Sequence, residues 1–220
     1  MAEKIIYWFD MDHTLINNDC DVSWKYFVVQ EGLAEKEETE RLTEKFYADY
    51  CAGALDSTEF MRFQLREFVG RTVEEMALLT QKHFDVIVKD KIYRDAENMI
   101  EKLLAQGDDC AILTSTNSVI ARPVADYLGI KKLFGAELEV VDGKYTGNIA
   151  GQYPVGPGKA VILEKYCQAN HLDPADFAYF GDSINDRFVL EKVGHAHAVN
   201  PSDELKKIAL EKSWTILNFR

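Results

Sequence analysis

The chain has few cysteines, no long hydrophobic run and fewer basic than acidic residues. The four cysteines are scattered, with neither a CxxC pair nor histidines at zinc-ligand spacing: Cys20, Cys51, Cys110 and Cys167. This pattern argues against a disulfide framework and against a zinc site. No apolar stretch is long enough to span a bilayer, and the run near the amino terminus is too short for a signal peptide. We therefore expect reduced cysteines, no membrane partner and a cytoplasmic location.

The charge balance narrows the range of partners. The chain carries 25 Lys and Arg against 37 Asp and Glu, a formal net charge of −12. Because nucleic acids are bound mainly through clustered Lys and Arg, we expect no nucleic-acid partner. With 220 residues, of which 47% are hydrophobic, the chain can bury one substantial core and carry an inserted subdomain. Any phosphate group that it binds must be recognised by a few local side chains.

Three short apolar runs end in polar residues of the kinds that catalyse reactions. They are residues 5–9 before Asp10 and Asp12, residues 110–113 before Thr114 and Ser115, and residues 177–180 before Gly181 and Asp182. Between them, apolar residues recur at helical spacing over 96–104 and stop before Gly107. Alternating strands and helices predict an α/β fold with a parallel sheet, whose ligands bind at the carboxyl ends of the strands. The three strand ends are therefore expected to form one site.

The rest of the chain divides into a helical insert and further strand and helix segments. Predicted elements are a hairpin at 137–147 with an Asp-Gly turn, a strand at 195–199, a helix at 205–209 and an edge strand at 214–217. Residues 17 to about 90 contain no β-like run and are rich in helix formers. We predict an all-helical cap subdomain at residues 17–90 and a catalytic core formed by residues 1–16 and 91–220.

The acids at the strand ends indicate phosphoryl chemistry. Asp10 at a strand tip can attack phosphorus directly, and Asp12 can protonate the leaving oxygen and later deprotonate the attacking water. Such close acids favour a hard divalent cation, and Mg²⁺ suits carboxylate and phosphate oxygens. Asp182 is the expected third ligand, with Asp186 nearby at the start of the next helix. Taken alone, Asp182 and Asp186 would equally fit a helix cap and a turn.

Hydroxyl groups and one lysine are candidates for binding the phosphate. Thr114 and Ser115 precede a predicted helix, whose first N–H groups add an anion site. Lys159 follows Gly156 and Gly158 at the start of another helix, so its ammonium could stabilise the charge of the phosphoryl oxygens. The structural alternatives are a helix cap for the hydroxyl residues and an exposed surface position for the lysine.

Together these segments resemble the four sequence motifs of the haloacid dehalogenase-like hydrolase superfamily. The matching segments are residues 10–15, residues 113–115, Lys159 and residues 181–186. The helical insert after the first motif resembles the C1-type cap of the phosphoserine phosphatase-like branch, and the predicted hairpin is similar to one in that branch. The resemblance implies a Rossmann-like, doubly wound core with five main parallel strands. It also implies Mg²⁺ dependence, an aspartyl-phosphate intermediate and hydrolysis of a phosphomonoester.

The resemblance also implies a role for each matched residue. Asp10 is the expected nucleophile, Asp12 the acid and base, and Thr114 and Lys159 are the expected phosphate binders. Asn185 is expected near the phosphate. The expected metal ligands are Asp10, Asp12, Asp182 and Asp186.

The identity of the substrate depends on less regular features. Asp19 matches a position where phosphoserine phosphatases carry an acid facing the substrate ammonium, which favours an amino-bearing substrate; a helix N-cap or a solvated loop acid is the alternative. Arg62 and Arg66 could meet a substrate carboxylate or could be surface residues of a cap helix. His13 could contact the substrate or the cap, or satisfy local backbone. The run Thr114-Ser115-Thr116 replaces the usual Ser-Gly-Gly. With Asn117 and the Asp-His-Thr variant of the first motif, it looks closer to branch members that include histidinol-phosphate phosphatases and many enzymes of unassigned substrate.

We expect hydrolysis of a small phosphorylated metabolite, and two alternatives remain open. One is transfer of the phosphoryl group to an acceptor other than water. The other is a non-enzymatic phospho-receiver domain, which also places an acceptor aspartate beside Mg²⁺ but needs neither Asp12 nor a cap. No feature of the sequence sets an oligomeric state.

Overall fold

The structure, a computed structural model, describes residues 5–51, 54 and 56–220. The strands are β1 (Ile6–Phe9), β2 (Asp109–Asn117), β3 (Lys132–Ala136), β4 (Leu138–Val141), β5 (Lys144–Ile149), β6 (Phe177–Gly181), β7 (His195–Val199) and β8 (Thr215–Leu217). The helices are α1 (Cys20–Gln30), α2 (Lys36–Cys51), α3 (Ser57–Leu65), α4 (Val73–His83), α5 (Arg94–Ala105), α6 (Ser118–Tyr127), α7 (Pro157–Asn170), α8 (Arg187–Leu190) and α9 (Asp203–Glu211). Short π and 3₁₀ turns lie at Phe84–Val88, Lys89–Lys91, Pro174–Asp176 and Ile184–Asp186.

Strand β1 lies inside a parallel sheet with the order β3-β2-β1-β6-β7-β8 in the described part of the chain. Phe9, its last residue, is in register with Ile112 of β2 and Phe180 of β6. All three strands therefore end at the same edge of the sheet. Successive side chains of β1 enter opposite layers, Trp8 among the buried residues of one core and Phe9 among those of the other. The predicted α/β fold with a doubly wound parallel sheet is confirmed.

The sheet is wider than expected, and its second strand is longer. The resemblance implies five main strands, whereas six are paired in the described residues. The additional strand, β3, is a partly buried edge strand with a short apolar stretch, and its pattern was too weak to predict. Strand β2 continues past the predicted end at residue 113 as far as Asn117, with an irregular register against β3 after Leu113. This extension carries three hydroxyl residues to the edge where the acids lie.

A helical insert separates β1 from α5, and a β-hairpin contacts it. The described residues between Asn17 and Asp90 form α1 to α4 and two short turns, with an isolated bridge at Thr72. In the predicted hairpin β4–β5, Asp142 and Gly143 have φ angles of 51° and 75°, as a tight Asp-Gly turn requires. The hairpin meets the insert through backbone hydrogen bonds, including Gly70 N–H to the Tyr145 carbonyl at 2.9 Å.

Cys20, Cys110 and Cys167 are free and buried, while the side chain of Cys51 lies outside the described residues. No helix in the described part of the chain has the length and apolar character needed to cross a membrane.

Candidate active site

Three carboxylates meet at the edge of the sheet where β1 and β6 end. Asp10 directly follows β1, and its N–H donates to the Phe180 carbonyl at 2.8 Å. Carboxylate oxygens of Asp10, Asp182 and Asp186 all lie within 4.8 Å of one another. The structure thus brings together three of the four acids predicted as metal ligands. The side chain of Asp12 lies outside this carboxylate cluster.

Lys159 forms hydrogen bonds with two of these carboxylates. It lies in the first turn of α7, and its Nζ donates to Asp10 Oδ1 at 2.7 Å and to Asp186 Oδ1 at 2.6 Å. The alternative of an exposed surface lysine is wrong, because Lys159 is 2% exposed. A buried ammonium between two acids can hold a phosphoryl group beside Asp10 by charge attraction.

Asp186 is the most enclosed member of the cluster. It is fully buried and accepts hydrogen bonds from the Tyr179 hydroxyl at 2.8 Å and from the N–H and hydroxyl of Ser183, each at 3.1 Å. A Cβ at position 181 would lie 2.5 Å from the Asp186 carboxyl carbon, so Gly181 leaves the space that this carboxylate occupies. Asp182 is less buried, and Thr14 Oγ1 donates to its Oδ1 at 3.4 Å. Neither Thr14 nor Tyr179 was among the predicted site residues: Thr14 lies inside the first motif without an assigned role, and Tyr179 lies within the apolar run 177–180.

The cluster holds more negative charge than its single ammonium can balance. Burial raises the pKa of Asp10 to about 6, with a further rise from Asp186 and an opposing effect of Lys159. Burial, together with Asp10 and Asp186, raises the pKa of Asp182 to about 9. Burial alone would lower the pKa of Lys159, but the two carboxylates outweigh it and raise that pKa. A set of two buried carboxylates and one half-buried carboxylate around one ammonium fits a hard divalent cation such as Mg²⁺.

Asp12 is not a member of this cluster and has two hydrogen-bond donors of its own. Its Oδ1 accepts from the Cys20 N–H at 2.8 Å, and its Oδ2 accepts from Thr116 Oγ1 at 2.6 Å. Burial raises its pKa to about 7; the neighbouring carboxylates of Asp19 and Asp10 raise it further, and the two hydrogen bonds oppose the rise. A carboxyl group with a pKa near neutrality can both give and take a proton at physiological pH.

The hydroxyl residues at the end of β2 make different contacts. Thr114 is 1% exposed, and its Oγ1 accepts from the Thr116 N–H at 3.1 Å. Ser115 Oγ donates to the Pro154 carbonyl at 2.8 Å. Asn117 caps α6 by accepting from the Ile120 N–H at 3.0 Å, so the cap is neither Thr114 nor Ser115. Thr116 had no predicted role of its own, although the two-residue period of a strand places it on the same side as Thr114.

Three further residues predicted to contact the substrate or phosphate are Asn185, Asp19 and His13. Asn185 is half-buried in the Ile184–Asp186 turn beside Asp186. Asp19 is the exposed N-cap of α1, accepting from the Val22 N–H at 3.0 Å, and its charge also raises the pKa of Asp12. His13 is exposed in a left-handed backbone conformation with a φ of 57°.

The two arginines predicted as alternatives for a substrate carboxylate differ in their surroundings. Arg62 is exposed on α3. Arg66 Nε donates to Glu67 Oε1 at 2.7 Å, and Nη1 lies 3.3 Å from Glu38. These contacts occupy Arg66 within the helical insert.

Comparison with known sequences identifies relatives along most of the chain. A family model described as haloacid dehalogenase-like hydrolase matches residues 8–191. A histidinol-phosphatase of Neisseria meningitidis is 36% identical over 216 residues, covering 96% of this chain and 97% of that protein. A phosphoserine phosphatase of Mycobacterium tuberculosis is 28% identical over 222 residues, covering 96% of this chain and 70% of that protein.

Solved structures with the same fold extend the comparison. A protein of unknown function from Bordetella pertussis has a TM-score of 0.90 and 30% identity, covering 98% of this chain and 99% of that one. A substrate-bound phosphoserine phosphatase complex has a TM-score of 0.69 at 22% identity, covering 99% of this chain and 94% of that one. At this lower identity the likeness concerns the fold.

Proposed function

The chain belongs to the haloacid dehalogenase-like hydrolase family and is a phosphoric monoester hydrolase, and from this premise we propose that it hydrolyses a small phosphorylated metabolite through an aspartyl-phosphate intermediate that requires Mg²⁺. The observation that carries the proposal is the cluster of Asp10, Asp182 and Asp186 around Lys159 at the end of β1. Family membership also excludes the alternative of a non-enzymatic phospho-receiver domain.

In the first step, Asp10 is the nucleophile. One of its carboxylate oxygens bonds to phosphorus while the bond from phosphorus to the ester oxygen breaks. Lys159 donates to the phosphoryl oxygens and stabilises the charge that develops on them. Asp12, carrying a proton, delivers it to the leaving oxygen, so that an alcohol departs.

In the second step, Asp12 acts in the opposite direction. It takes a proton from a water molecule whose oxygen attacks phosphorus, and the bond between phosphorus and Asp10 breaks. Inorganic phosphate leaves, Asp10 is a free carboxylate again, and Asp12 has regained its proton. We assign Thr114, Ser115 and Asn185 to holding the phosphate, as their motif positions indicate.

We assign the Mg²⁺ site to Asp10, Asp182 and Asp186, with Asp12 as a further candidate ligand. The raised pKa values of Asp10 and Asp182 support this assignment, since they indicate carboxylates that lack enough positive charge around them. Bound there, Mg²⁺ would supply positive charge for the phosphate oxygens.

We propose an amino-bearing alcohol phosphate, with histidinol phosphate as the first candidate and phosphoserine as the second. The relative with the higher identity is named a histidinol-phosphatase, and it matches along nearly its whole length. Asp19 supports a cationic substrate, because its exposed carboxylate lies close enough to Asp12 to raise the pKa of that residue. Arg66, which could have met the carboxylate of phosphoserine, is paired within the insert.

A phosphate-release screen tests reaction class and substrate together. Phosphorylated amino acids, amino alcohols, sugars and nucleotides are compared with and without Mg²⁺. We expect turnover with Mg²⁺ alone, with histidinol phosphate preferred. Asp10→Asn should abolish turnover; wild-type hydrolysis of p-nitrophenyl phosphate by this variant would refute the mechanism.

A charge-removing variant separates substrate recognition from folding. Asp19→Asn keeps an N-cap acceptor for α1 but removes the negative charge. We expect KM to rise for histidinol phosphate and to stay constant for glycerol phosphate. Equal changes in KM for both substrates would contradict the proposal that Asp19 binds the substrate ammonium.

We further propose that residues 17–90 form a cap over a core of residues 1–16 and 91–220 and exclude water during the first step. This favours small substrates, so efficient dephosphorylation of a folded phosphoprotein would contradict it. Adding a sugar alcohol as acceptor and analysing the products distinguishes hydrolysis from phosphoryl transfer, and we expect inorganic phosphate.

A further inference from the structure

The carboxylate of Asp12 is oriented by donors from two distant segments. Thr116 Oγ1 at the end of β2 donates to Oδ2, and the Cys20 N–H at the start of α1 donates to Oδ1, at 2.6 Å and 2.8 Å. Because each oxygen has its own donor, the rotation of the carboxylate about its Cβ–Cγ bond is restricted. The distance to Thr116 is typical of a strong hydrogen bond from a hydroxyl group to a carboxylate.

Thr116 is itself rigidly placed. It is 2% exposed, and its N–H donates to Thr114 Oγ1 at 3.1 Å. Its carbonyl lies against Gly135 of β3, where an added Cβ would approach to 2.8 Å. A threonine side chain has few χ1 rotamers, so a fixed backbone also fixes the direction of its hydroxyl. The neighbouring hydroxyl of Ser115 is bonded to the Pro154 carbonyl, away from Asp12.

We propose that Thr116 is a positioning residue that directs the Asp12 carboxyl group toward the leaving oxygen of the substrate. This inference rests on the proposed function, in which Asp12 protonates that oxygen. Thr116 needs no contact with the substrate to act in this way. A geometric error of about 1 Å in a catalytic group can cost on the order of 100-fold in rate, so an unsupported Asp12 would be a poorer acid.

Substrates whose leaving groups differ in basicity can distinguish a positioning role of Thr116 from a merely structural one. An alkoxide leaves slowly unless it is protonated as its bond to phosphorus breaks, whereas p-nitrophenolate leaves readily without a proton. Loss of positioning at Asp12 should therefore slow cleavage of an alkyl phosphate more than cleavage of an aryl phosphate. The quantity to measure is kcat/KM, because it reports the first bond-breaking step and not the later release of phosphate.

The decisive variant is Thr116→Val, which removes the hydroxyl and keeps the shape of the side chain. We expect kcat/KM to fall about 10- to 100-fold for histidinol phosphate. For p-nitrophenyl phosphate, the factor by which kcat/KM falls should be at least ten times smaller. Thr116→Ser keeps the donor and should restore the ratio between the two substrates. If Thr116→Val does not fold, as judged by circular dichroism, Thr116→Ala is measured in its place.

The matched control is Thr80→Val in α4. Thr80 is also 2% exposed, and its hydroxyl donates one hydrogen bond, to the Ala77 carbonyl at 3.3 Å. Its replacement removes a buried hydroxyl that is bonded within its own helix and not to Asp12, so the ratio of the two kcat/KM values should stay as in the wild type.

Two reference variants separate failure of the inference from failure of the proposed function. If Asp12→Asn changes the substrate ratio while Thr116→Val slows both substrates equally or not at all, the positioning role is wrong and the proposed function stands. If Asp10→Asn retains turnover, the proposed function itself is wrong.

Discussion

Two lysines of nearly equal burial have differently balanced charges around them, one at the catalytic edge and one in the helical insert. Lys159 is 2% exposed and lies between Asp10 and Asp186, whereas Lys25 is 1% exposed and lies against Glu67 at 2.6 Å and the Phe63 carbonyl. Burial by itself lowers the pKa of either lysine. Two carboxylates reverse this for Lys159, while one carboxylate leaves the pKa of Lys25 lowered to about 8.

The difference lies in how the charges are balanced. In the insert, Arg66 joins Lys25 on Glu67, so that two cations face Glu67 with Glu38 nearby. At the catalytic edge, three carboxylates share one ammonium. A locally balanced group needs nothing further, whereas an unbalanced buried group needs a cation or protons. Burial alone therefore does not identify a site; an excess of one sign does.

The largest expected effect comes from removing the ammonium at the edge. Lys159→Met should lower kcat about 1000-fold, or about 4 kcal/mol, because the charge on the phosphoryl oxygens loses a fixed partner. Steady-state kinetics with Mg²⁺ measure this. Lys25→Met, which removes an equally buried lysine from the insert, is the control and should change kcat far less. Equal losses in the two variants would remove the distinction between the two regions.

The second effect is the pH dependence that Lys25 imposes on stability. Its pKa is about 8 in the folded protein and 10.5 in the unfolded chain. Between these values the unfolded chain binds more protons than the folded protein, so the free energy of unfolding rises with pH, by about 3 kcal/mol in total.

Urea unfolding of the wild type and of Lys25→Met across this window gives the measurement, because the rise should be missing from the variant. The raised pKa of Lys159 has the opposite consequence, since its stabilisation is complete at neutral pH and is lost only above pH 10.5. A wild type and a Lys25→Met variant with parallel profiles would contradict the prediction.

The third variant, Gly181→Ala, should leave Lys159 with one bonded carboxylate in place of two, as Lys25 has. In Gly181→Ala the new Cβ would lie 2.5 Å from the Asp186 carboxyl carbon and should displace that carboxylate from Lys159. We expect kcat/KM to fall about 10- to 100-fold, equivalent to about 1.4 to 2.7 kcal/mol. Gly107→Ala is the control, because a Cβ there meets no atom within 4 Å and should affect stability rather than kcat/KM.

The sequence predicted the strand ends more reliably than their side-chain contacts. Asp10, Asp182 and Lys159 could be selected because a strand boundary or a glycine-flanked helix start precedes each one. The parallel sheet followed from strands separated by helices. Strand β3 escaped prediction because an edge strand with only Leu133 and Phe134 as large apolar residues lacks a clear pattern.

Side-chain contacts between different elements could not be read from local pattern, whether the residues are far apart in sequence or close. Thr116 reaches Asp12 across 104 positions, and Tyr179 meets Asp186 from inside an apolar strand. Neither residue is unusual in its own segment. The hydrogen bonds of the Asp12 carboxylate to Thr116 and to the Cys20 N–H likewise follow from the fold, and its assignment as a metal ligand stays a prediction.

The smallest expected effect concerns Mg²⁺, which should stabilise the catalytic edge and leave the insert unaffected. At ten times its Kd, the ion should add about 1.4 kcal/mol to the free energy of unfolding. The pKa values of Asp10 and Asp182 are raised from 3.8 to about 6 and about 9, so the folded protein holds extra protons between about pH 4 and pH 9.

In that window the stability of the metal-free protein falls as pH rises, because the acids lose those protons where they are poorly solvated. Mg²⁺ competes with the protons, so its stabilising effect should grow with pH over the same range. Thermal unfolding with and without Mg²⁺ at several pH values measures this. Lys25→Met should show the same increment as the wild type, and Asp182→Asn should lose most of it. A stabilisation by Mg²⁺ that is independent of pH and survives in Asp182→Asn would mean that the ion binds elsewhere. The unbalanced charge at the strand ends would then not explain metal binding.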